Sequence, residues 1–124
     1  MYDLIVRGGT VFDGTGAPPR RADVAIEGGR VVAIDDLPPG GAAREVDASG
    51  AWVVPGFVDI HTHYDLCVEW SGLTDHCLRQ GITTVVGGNC GLGEADPGAL
   101  LDRAARAQLG VHLGVLAPFG PIRG

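Results

Sequence analysis

Lysine is absent from this 124-residue sequence, and its nine basic residues are all arginines, set against 15 acidic residues. The formal net charge is −6. A nucleic-acid-binding surface needs clustered positive charge. The one adjacent basic pair, Arg20 and Arg21, follows Ala-Pro-Pro in what we predict to be a solvated surface loop. The composition therefore predicts no nucleic-acid partner.

Cysteine is also scarce, and no long apolar run is present. Cys67, Cys77 and Cys90 are odd in number and lack the spacing of a disulfide framework, which favours reduced thiols. The longest apolar stretch, residues 51–58, is interrupted by Pro55 and Gly56 and cannot span a bilayer. The first residues lack the features of a signal peptide. Because 45% of the residues are hydrophobic, we expect a globular cytoplasmic protein with no membrane partner.

The first half of the chain reads as short strands joined by glycine turns. We predict strands at residues 4–7, 23–26 and 30–34, with residues 27–29 closing a hairpin between the last two. Residues 45–47 and 51–54 suggest a further pair across the turn at 48–50. Residues 1–54 are therefore expected to form a small antiparallel β domain.

From Pro55 onward the pattern alternates between strands and helices. Residues 56–60 read as a strand buried on both faces, followed by a helix over 74–80 that ends at Gly81 and a strand over 82–86. Asp96 and Pro97 then begin a helix that Gly110 closes, and residues 111–116 form a third strand. This order predicts an α/β fold with a parallel sheet over residues 55–124.

His61 and His63 follow the first of these parallel strands directly. Side chains two residues apart on extended backbone point the same way, so both imidazoles could reach one metal ion. A bare His-x-His pair is more often two exposed loop histidines. The strand that ends just before the pair favours the metal interpretation.

Cys90 occupies the corresponding position after the second strand. The carboxyl ends of neighbouring parallel strands lie side by side, so a thiolate there could join the histidines or bridge two ions. A lone cysteine is usually a small buried residue, and we interpret Cys67 and Cys77 in that structural way.

The other polar candidates are less specific. Asp65 could accept a hydrogen bond that orients a ligating imidazole, although an ordinary loop aspartate fits as well. Asp59 could face the same interior or cap backbone groups. His76 and His112 are predicted to be structural. The segment Gly87-Gly88-Asn89 favours a tight turn and the close approach of a substrate over phosphate binding.

Three stretches of this sequence resemble the amidohydrolase superfamily: YDLIVRGGT at residues 2–10, VPGFVDIHTHYD at 54–65 and GITTVVGGNCG at 81–91. The first two are similar to many members, including dihydroorotases and hydantoinases. The segment around Cys90 resembles the N-acyl-D-amino-acid deacylases, or D-aminoacylases, which place a cysteine metal ligand at that point.

The resemblance implies part of a small β-sandwich over residues 1–54 and, over residues 55–124, about three strands of a metal-dependent (β/α)8 TIM barrel. A whole barrel needs about 250 residues, so the chain is expected to be an amino-terminal fragment, and whether it is an enzyme by itself stays open. The metal ligands implied are His61, His63 and Cys90, with one or two Zn²⁺ ions. Two further histidines and the general acid/base aspartate are expected beyond residue 124.

The activity implied for the parent enzyme is zinc-dependent hydrolysis of the amide bond of N-acyl-D-amino acids. The alternatives are a cyclic-amide hydrolase of the hydantoinase or dihydroorotase kind, or a truncated product without catalytic activity. The partners expected are a small-molecule N-acyl amino acid and either the missing carboxyl-terminal remainder or a second copy of the chain.

Overall fold

The computed structural model describes residues 1–69 and 73–123. The chain divides into two compact units, residues 1–55 and residues 56–124. In the described part, no helix is long and apolar enough to cross a membrane.

The first unit is one mixed five-stranded sheet. The long central strand β1 pairs antiparallel with β2 along one edge, and β2 pairs antiparallel with β3. The bounds are β1 Tyr2–Val11, β2 Arg20–Glu27, β3 Arg30–Asp35, β4 Ala42–Asp47 and β5 Trp52–Val53. The predicted hairpin between β2 and β3 is confirmed, and its turn residues Gly28 and Gly29 both adopt positive φ as a tight two-residue turn requires.

The sheet corrects the predicted antiparallel unit at three places. The strands β4 and β5 do not pair with each other, because both lie in succession along one edge of β1 and parallel to it. Strand β1 continues to Val11 instead of ending before Gly8. Arg20 and Arg21 begin β2 instead of lying in a loop, and the Arg20 guanidinium donates to the Ile34 carbonyl. Local turn signals could not reveal these pairings, which depend on which strand edge is free.

Hydrogen bonds around Arg7 stabilise this sheet at a bulge in β1, where the register with β2 shifts between Val6 and Gly9. The carboxylate of Asp23 accepts from Arg7 Nη1 at 2.8 Å and from the Gly8 amide at 2.8 Å. The other guanidinium donors of Arg7 reach Glu45 and the backbone carbonyls of the loop before β4, namely those of Leu37, Pro38 and Gly40. A single half-buried cation thus joins three strands and a loop.

The second unit is a three-stranded parallel sheet in the order β6-β7-β8. Its elements are β6 Phe57–Asp59, α1 Leu73–Leu78, β7 Ile82–Gly87, α2 Pro97–Ala107, β8 His112–Val115 and α3 Phe119–Arg123, with short 3-10 turns at Tyr64–Cys67 and Asn89–Gly91. The predicted α/β class and parallel pairing are confirmed. Helix α3 is a short addition that the sequence reading did not foresee.

Helix α2 begins at the residues predicted from the sequence but ends before the predicted residue. Asp96 caps the helix by accepting from the Ala99 amide at 3.0 Å, and Pro97 takes the first turn, as predicted. The helix ends at Gln108, which adopts left-handed φ of 51°. The prediction that Gly110 closes the helix was therefore wrong. The inner face of α2 buries Leu100 and Ala104 against Val68.

Strand β6 differs from the prediction that it is buried on both faces. Phe57 and Val58 are 56% and 59% exposed, and Ile60 just beyond the strand is 72% exposed. The strand pairs with β7 along one edge only. Among the described residues of this unit, none covers the side chains of β6 in the way that a complete layer of strands and helices would.

We predict that Asp23→Asn lowers the free energy of unfolding by about 1–3 kcal/mol at neutral pH, since hydrogen bonds to a charged group are lost. Burial by itself would raise the pKa of the Asp23 carboxyl, but hydrogen bonds from Arg7, Gly8 and Leu37 outweigh it and lower that pKa. The contribution is therefore complete above the unfolded value of about 3.9 and is lost as the pH falls through the folded pKa. Urea denaturation at several pH values measures both effects.

The matched control is Asp75→Asn, which removes an exposed i,i+4 ion pair with Arg79 whose side chains are 67% and 76% exposed. We expect that control to change stability by less than about 0.5 kcal/mol. Below about pH 4 the stability of Asp23→Asn should fall less steeply than that of the parent chain. Equal losses for the two variants, or identical pH profiles, would contradict the structural role of Asp23.

Candidate metal centre

The carboxyl ends of β6 and β7 meet at one edge of the second sheet because the two strands pair in parallel, with Asp59 opposite Val85. The pairing continues past β6, since the Thr62 amide donates to the Val86 carbonyl at 3.0 Å. Residue 62 is buried, so its neighbours His61 and His63 are turned outward and exposed. Their rings lie 6.0 Å apart between centroids.

Cys90 enters the same space from the turn after β7. Its Sγ lies 3.2 Å from Nε2 of His61. One ligand atom from each of His61, His63 and Cys90 falls within 4.8 Å of the other two. The structure thus brings together the three residues that we predicted as metal ligands, at the end of the sheet where we expected them.

The backbone conformation of the turn after β7 sets the direction of the Cys90 side chain. Gly88 and Cys90 adopt left-handed φ values of 77° and 58°, and Gly91 follows at 71°. An L-residue such as cysteine pays roughly 1 kcal/mol or more for this conformation. A Cβ built on Gly88 would overlap the backbone carbonyl of Leu116, so only glycine fits there. The chain reverses tightly after β7, as the Gly87-Gly88 pair predicted.

Asp65 lies close to this edge but does not make the contact we expected. It is 3% exposed, and its carboxylate packs against Gly87, where an added Cβ would overlap Oδ1. Neither carboxylate oxygen has a hydrogen-bond partner within residues 1–69 and 73–123. The predicted hydrogen bond from an imidazole to Asp65 is therefore not formed in this structure. Asp59 accepts from the His61 amide at 3.2 Å, which is the backbone-capping alternative.

The remaining cysteines and histidines lie apart from the cluster. Cys77 is fully buried in the core with Val85 and Val111. Cys67 is half-buried in the 3-10 turn, and burial raises the pKa of both thiols, which keeps them protonated and unreactive. His76 lies on α1 with its ring against Tyr64, and His112 is exposed on β8.

The sequence did not predict the roles of two residues in this region. Thr62 and Asn89 are buried, and Asn89 Nδ2 donates to the Thr62 carbonyl at 3.2 Å and to the carbonyl of Val86, in the preceding strand β7, at 2.9 Å. The signal available was that each is a polar residue directly adjacent to a candidate ligand.

A parallel β/α sheet with two histidines and a cysteine clustered at its carboxyl edge is an arrangement that could hold a metal ion. Residues 44–107 match the model of the amidohydrolase family. The chain belongs to this family, and the resemblance predicted from its motifs is confirmed. The three parallel strands are the beginning of the barrel of these enzymes.

Individual relatives agree with this assignment. The chain is 51% identical to an N-acyl-D-glutamate deacylase of Alcaligenes xylosoxydans xylosoxydans over 97% of its own length and 27% of the relative's. It is 45% identical to a D-aminoacylase of the same organism over 82% of its length and 22% of the relative's. The chain thus spans about a quarter of the curated relatives it matches.

Solved structures lead to the same family. The chain is similar to an N-acyl-D-glutamate deacylase of Bordetella bronchiseptica, solved with zinc and a phosphonate inhibitor, with a TM-score of 0.88 and 33% identity. The match covers 98% of this chain and 30% of that one. It is also similar to an L-hydantoinase of Arthrobacter aurescens, with a TM-score of 0.69 and 28% identity over 93% of this chain and 27% of that one.

We predict that Gly88→Ala destabilises the chain by roughly 1–3 kcal/mol more than Gly91→Ala, because overpacking adds to backbone strain. Both glycines have left-handed φ, at 77° and 71°, so both variants carry similar strain. Only the methyl group at position 88 meets a neighbour, since the space around Gly91 is open to 4 Å. Thermal and urea unfolding of the two variants measures the difference, and equal losses would show that Gly88 does not pack as described.

Proposed function

We propose that His61, His63 and Cys90 bind a zinc ion in an enzyme that hydrolyses the amide bond of N-acyl-D-amino acids. The observation that carries the proposal is the convergence of their three ligand atoms within 4.8 Å at the carboxyl edge of the sheet. Support comes from the zinc-bound N-acyl-D-glutamate deacylase with which this chain shares its fold.

The donor set suits zinc on geometric grounds. Ligand atoms around a tetrahedral zinc ion, with bonds of about 2.0–2.3 Å, lie about 3.3–3.6 Å apart. The His61 Nε2 to Cys90 Sγ distance of 3.2 Å is already close to this value. The ligand atom of His63 lies within 4.8 Å of the other two. Two imidazoles and a thiolate are donors that favour zinc over magnesium or calcium.

The residues of this chain would hold the ion at the edge and leave its outward side accessible, since all three ligands are exposed. A zinc ion supplies Lewis-acid chemistry, polarising a substrate carbonyl and acidifying water. The Gly87-Gly88 turn is buried against Asp65 and Leu116, so protein atoms, and not open space for a substrate, lie beside its backbone. Among the described residues we assign no general acid/base, and we expect that aspartate elsewhere in the whole protein.

A cyclic-amide hydrolase is the second candidate. The observation that favours it is the fold match to the L-hydantoinase at 28% identity. The exposed thiol of Cys90 beside His61 supports the deacylase, because the deacylase resemblance is the one that places a cysteine ligand at this position.

Further expectations belong to the same proposal. We infer that residues 1–54 are part of a small β-sandwich and that residues 55–124 are the first β/α units of the barrel. We also infer a cytoplasmic protein, since all three cysteines are free thiols. Its substrate is a small molecule, with the remaining strands supplied by the rest of the protein or by self-association.

We predict that the chain binds Zn²⁺ or Co²⁺ weakly, because three ligands are offered where a closed site uses four. The visible spectrum of the Co²⁺ form should contain a thiolate-to-cobalt charge-transfer band that Cys90→Ala removes. His61→Ala combined with His63→Ala should abolish binding, whereas His112→Ala, an exposed histidine on β8, should leave it unchanged. Tight metal retention by the double variant would show that the ligand assignment is wrong.

We expect no turnover from the 124 residues alone, and hydrolysis of N-acetyl-D-amino acids when the carboxyl-terminal remainder of a D-aminoacylase is co-expressed with them. Replacing a ligand should then reduce turnover by at least about 100-fold, since even residues that merely support a metal ligand cost 10–100-fold. His61→Ala is the test variant and His112→Ala the control. Hydantoins and allantoin belong in the same panel of substrates, and a preference for them would favour the cyclic-amide alternative. Robust activity without the remainder would contradict our view of an incomplete site.

A further inference from the structure

The backbone carbonyl of Val86, the next-to-last residue of β7, is the meeting point of three hydrogen bonds. It accepts from the Thr62 amide at 3.0 Å, from Thr62 Oγ1 at 3.0 Å and from Asn89 Nδ2 at 2.9 Å. A carbonyl oxygen has two lone pairs, so three donors on one oxygen are a crowded arrangement. The same Asn89 amide also donates to the Thr62 carbonyl at 3.2 Å.

The donors stand next to the candidate ligands in the chain. Thr62 separates His61 from His63, and Asn89 immediately precedes Cys90. Thr62 and Asn89 are only 6% and 9% exposed, while the three ligands beside them are exposed. The buried side chains of Thr62 and Asn89 therefore link the segment that carries His61 and His63 to the segment that carries Cys90.

We propose that Thr62 and Asn89 are positioning residues, which fix the spacing between the histidine pair and Cys90 before a metal ion arrives. The inference rests on the metal site proposed above. Neither side chain touches the ion or a substrate in this assignment. Each acts through its hydrogen bonds to the backbone of the opposite segment.

The strained conformation of the turn at Cys90 explains why these hydrogen bonds would be needed. Cys90 is held at φ of 58°, a strained value for a residue with a side chain. Such a conformation persists only where surrounding contacts impose it. The Asn89 side chain anchors the start of the turn to β7 and to Thr62, and the Leu92 amide closes the turn on the Asn89 carbonyl at 2.9 Å. Without the anchor the turn can relax, and Sγ moves away from His61.

The test compares variants on both sides of the cross-link. Thr62→Val removes the hydroxyl and keeps the shape, whereas Thr62→Ser restores the hydroxyl. Asn89→Ala removes both amide donations but leaves the backbone bond between Thr62 and Val86 in place. Thr84→Val is the matched control. Thr84 is a half-buried threonine on β7, the strand that contains Val86, and its side chain makes no hydrogen bond among the described contacts.

The first readout is Co²⁺ affinity, with the intensity of the thiolate-to-cobalt band, alongside urea unfolding of the metal-free chain. We expect Thr62→Val and Asn89→Ala to weaken Co²⁺ binding about 10–100-fold, the range seen for residues that orient metal ligands. The charge-transfer band should weaken most in Asn89→Ala. Thr62→Ser and Thr84→Val should bind as the parent does. Loss of stability with unchanged affinity and an unchanged spectrum would reduce these residues to ordinary core contacts and overturn the proposal.

The second readout does not need a metal. In the metal-free chain, a nuclear Overhauser effect between the His61 ring and the Cys90 β-protons should be present, and it should disappear in Asn89→Ala. If the parent chain binds no Co²⁺ but this effect behaves as expected, the metal proposal fails while the positioning role stands. If the effect persists in Asn89→Ala, the positioning role fails. Should Thr62→Val not fold, Asn89→Ala carries the comparison, because its backbone ladder is intact.

Discussion

The parallel pairing of β6 with β7 is the constraint on which the candidate site depends. It brings the carboxyl ends of two strands, separated by more than twenty residues of chain, to one edge of a sheet. Beyond β6, a hydrogen bond from the Thr62 amide to the Val86 carbonyl holds the His-Thr-His segment against β7, with Thr62 buried and both histidines exposed. A one-residue slip of this pairing would turn the histidines inward and Thr62 outward.

The first unit depends on a different interaction, the hydrogen bonds and ion pairs of the half-buried Arg7 guanidinium. A bulge in a central strand leaves backbone donors without ladder partners, and the Asp23 carboxylate accepts from the Gly8 amide at that point. Arg7 neutralises the carboxylate and gathers the loop before β4 through its remaining donors, and its hydrogen bonds to Glu45 and Asp23 raise its own pKa further. The glutamate in turn has a lowered pKa, chiefly from its hydrogen bond with Arg7.

The candidate metal centre is partly built in this chain. Three candidate ligands of suitable chemistry converge, while Phe57 and Val58 of β6 remain exposed and one buried carboxylate, Asp65, has no hydrogen-bond partner in the described residues. These features are consistent with the small fraction of its relatives that the chain spans. In the proposed enzyme, further strands would cover β6 and supply the remaining ligands, so the ordered donors here are one side of a larger site.

Sequence alone determined the α/β order of the second unit, the hairpin at Gly28 and Gly29, the cap at Asp96, the family, and the three candidate ligands, because each follows from local backbone preference or a short motif. Tertiary structure decided what depends on distant partners: both β4 and β5 on the free edge of β1, the left-handed end of α2 at Gln108, the isolation of Asp65, and the Thr62 and Asn89 cross-link. Hydrogen bonds between segments far apart in the chain leave no periodic trace in the sequence. They become visible only when the strands are paired.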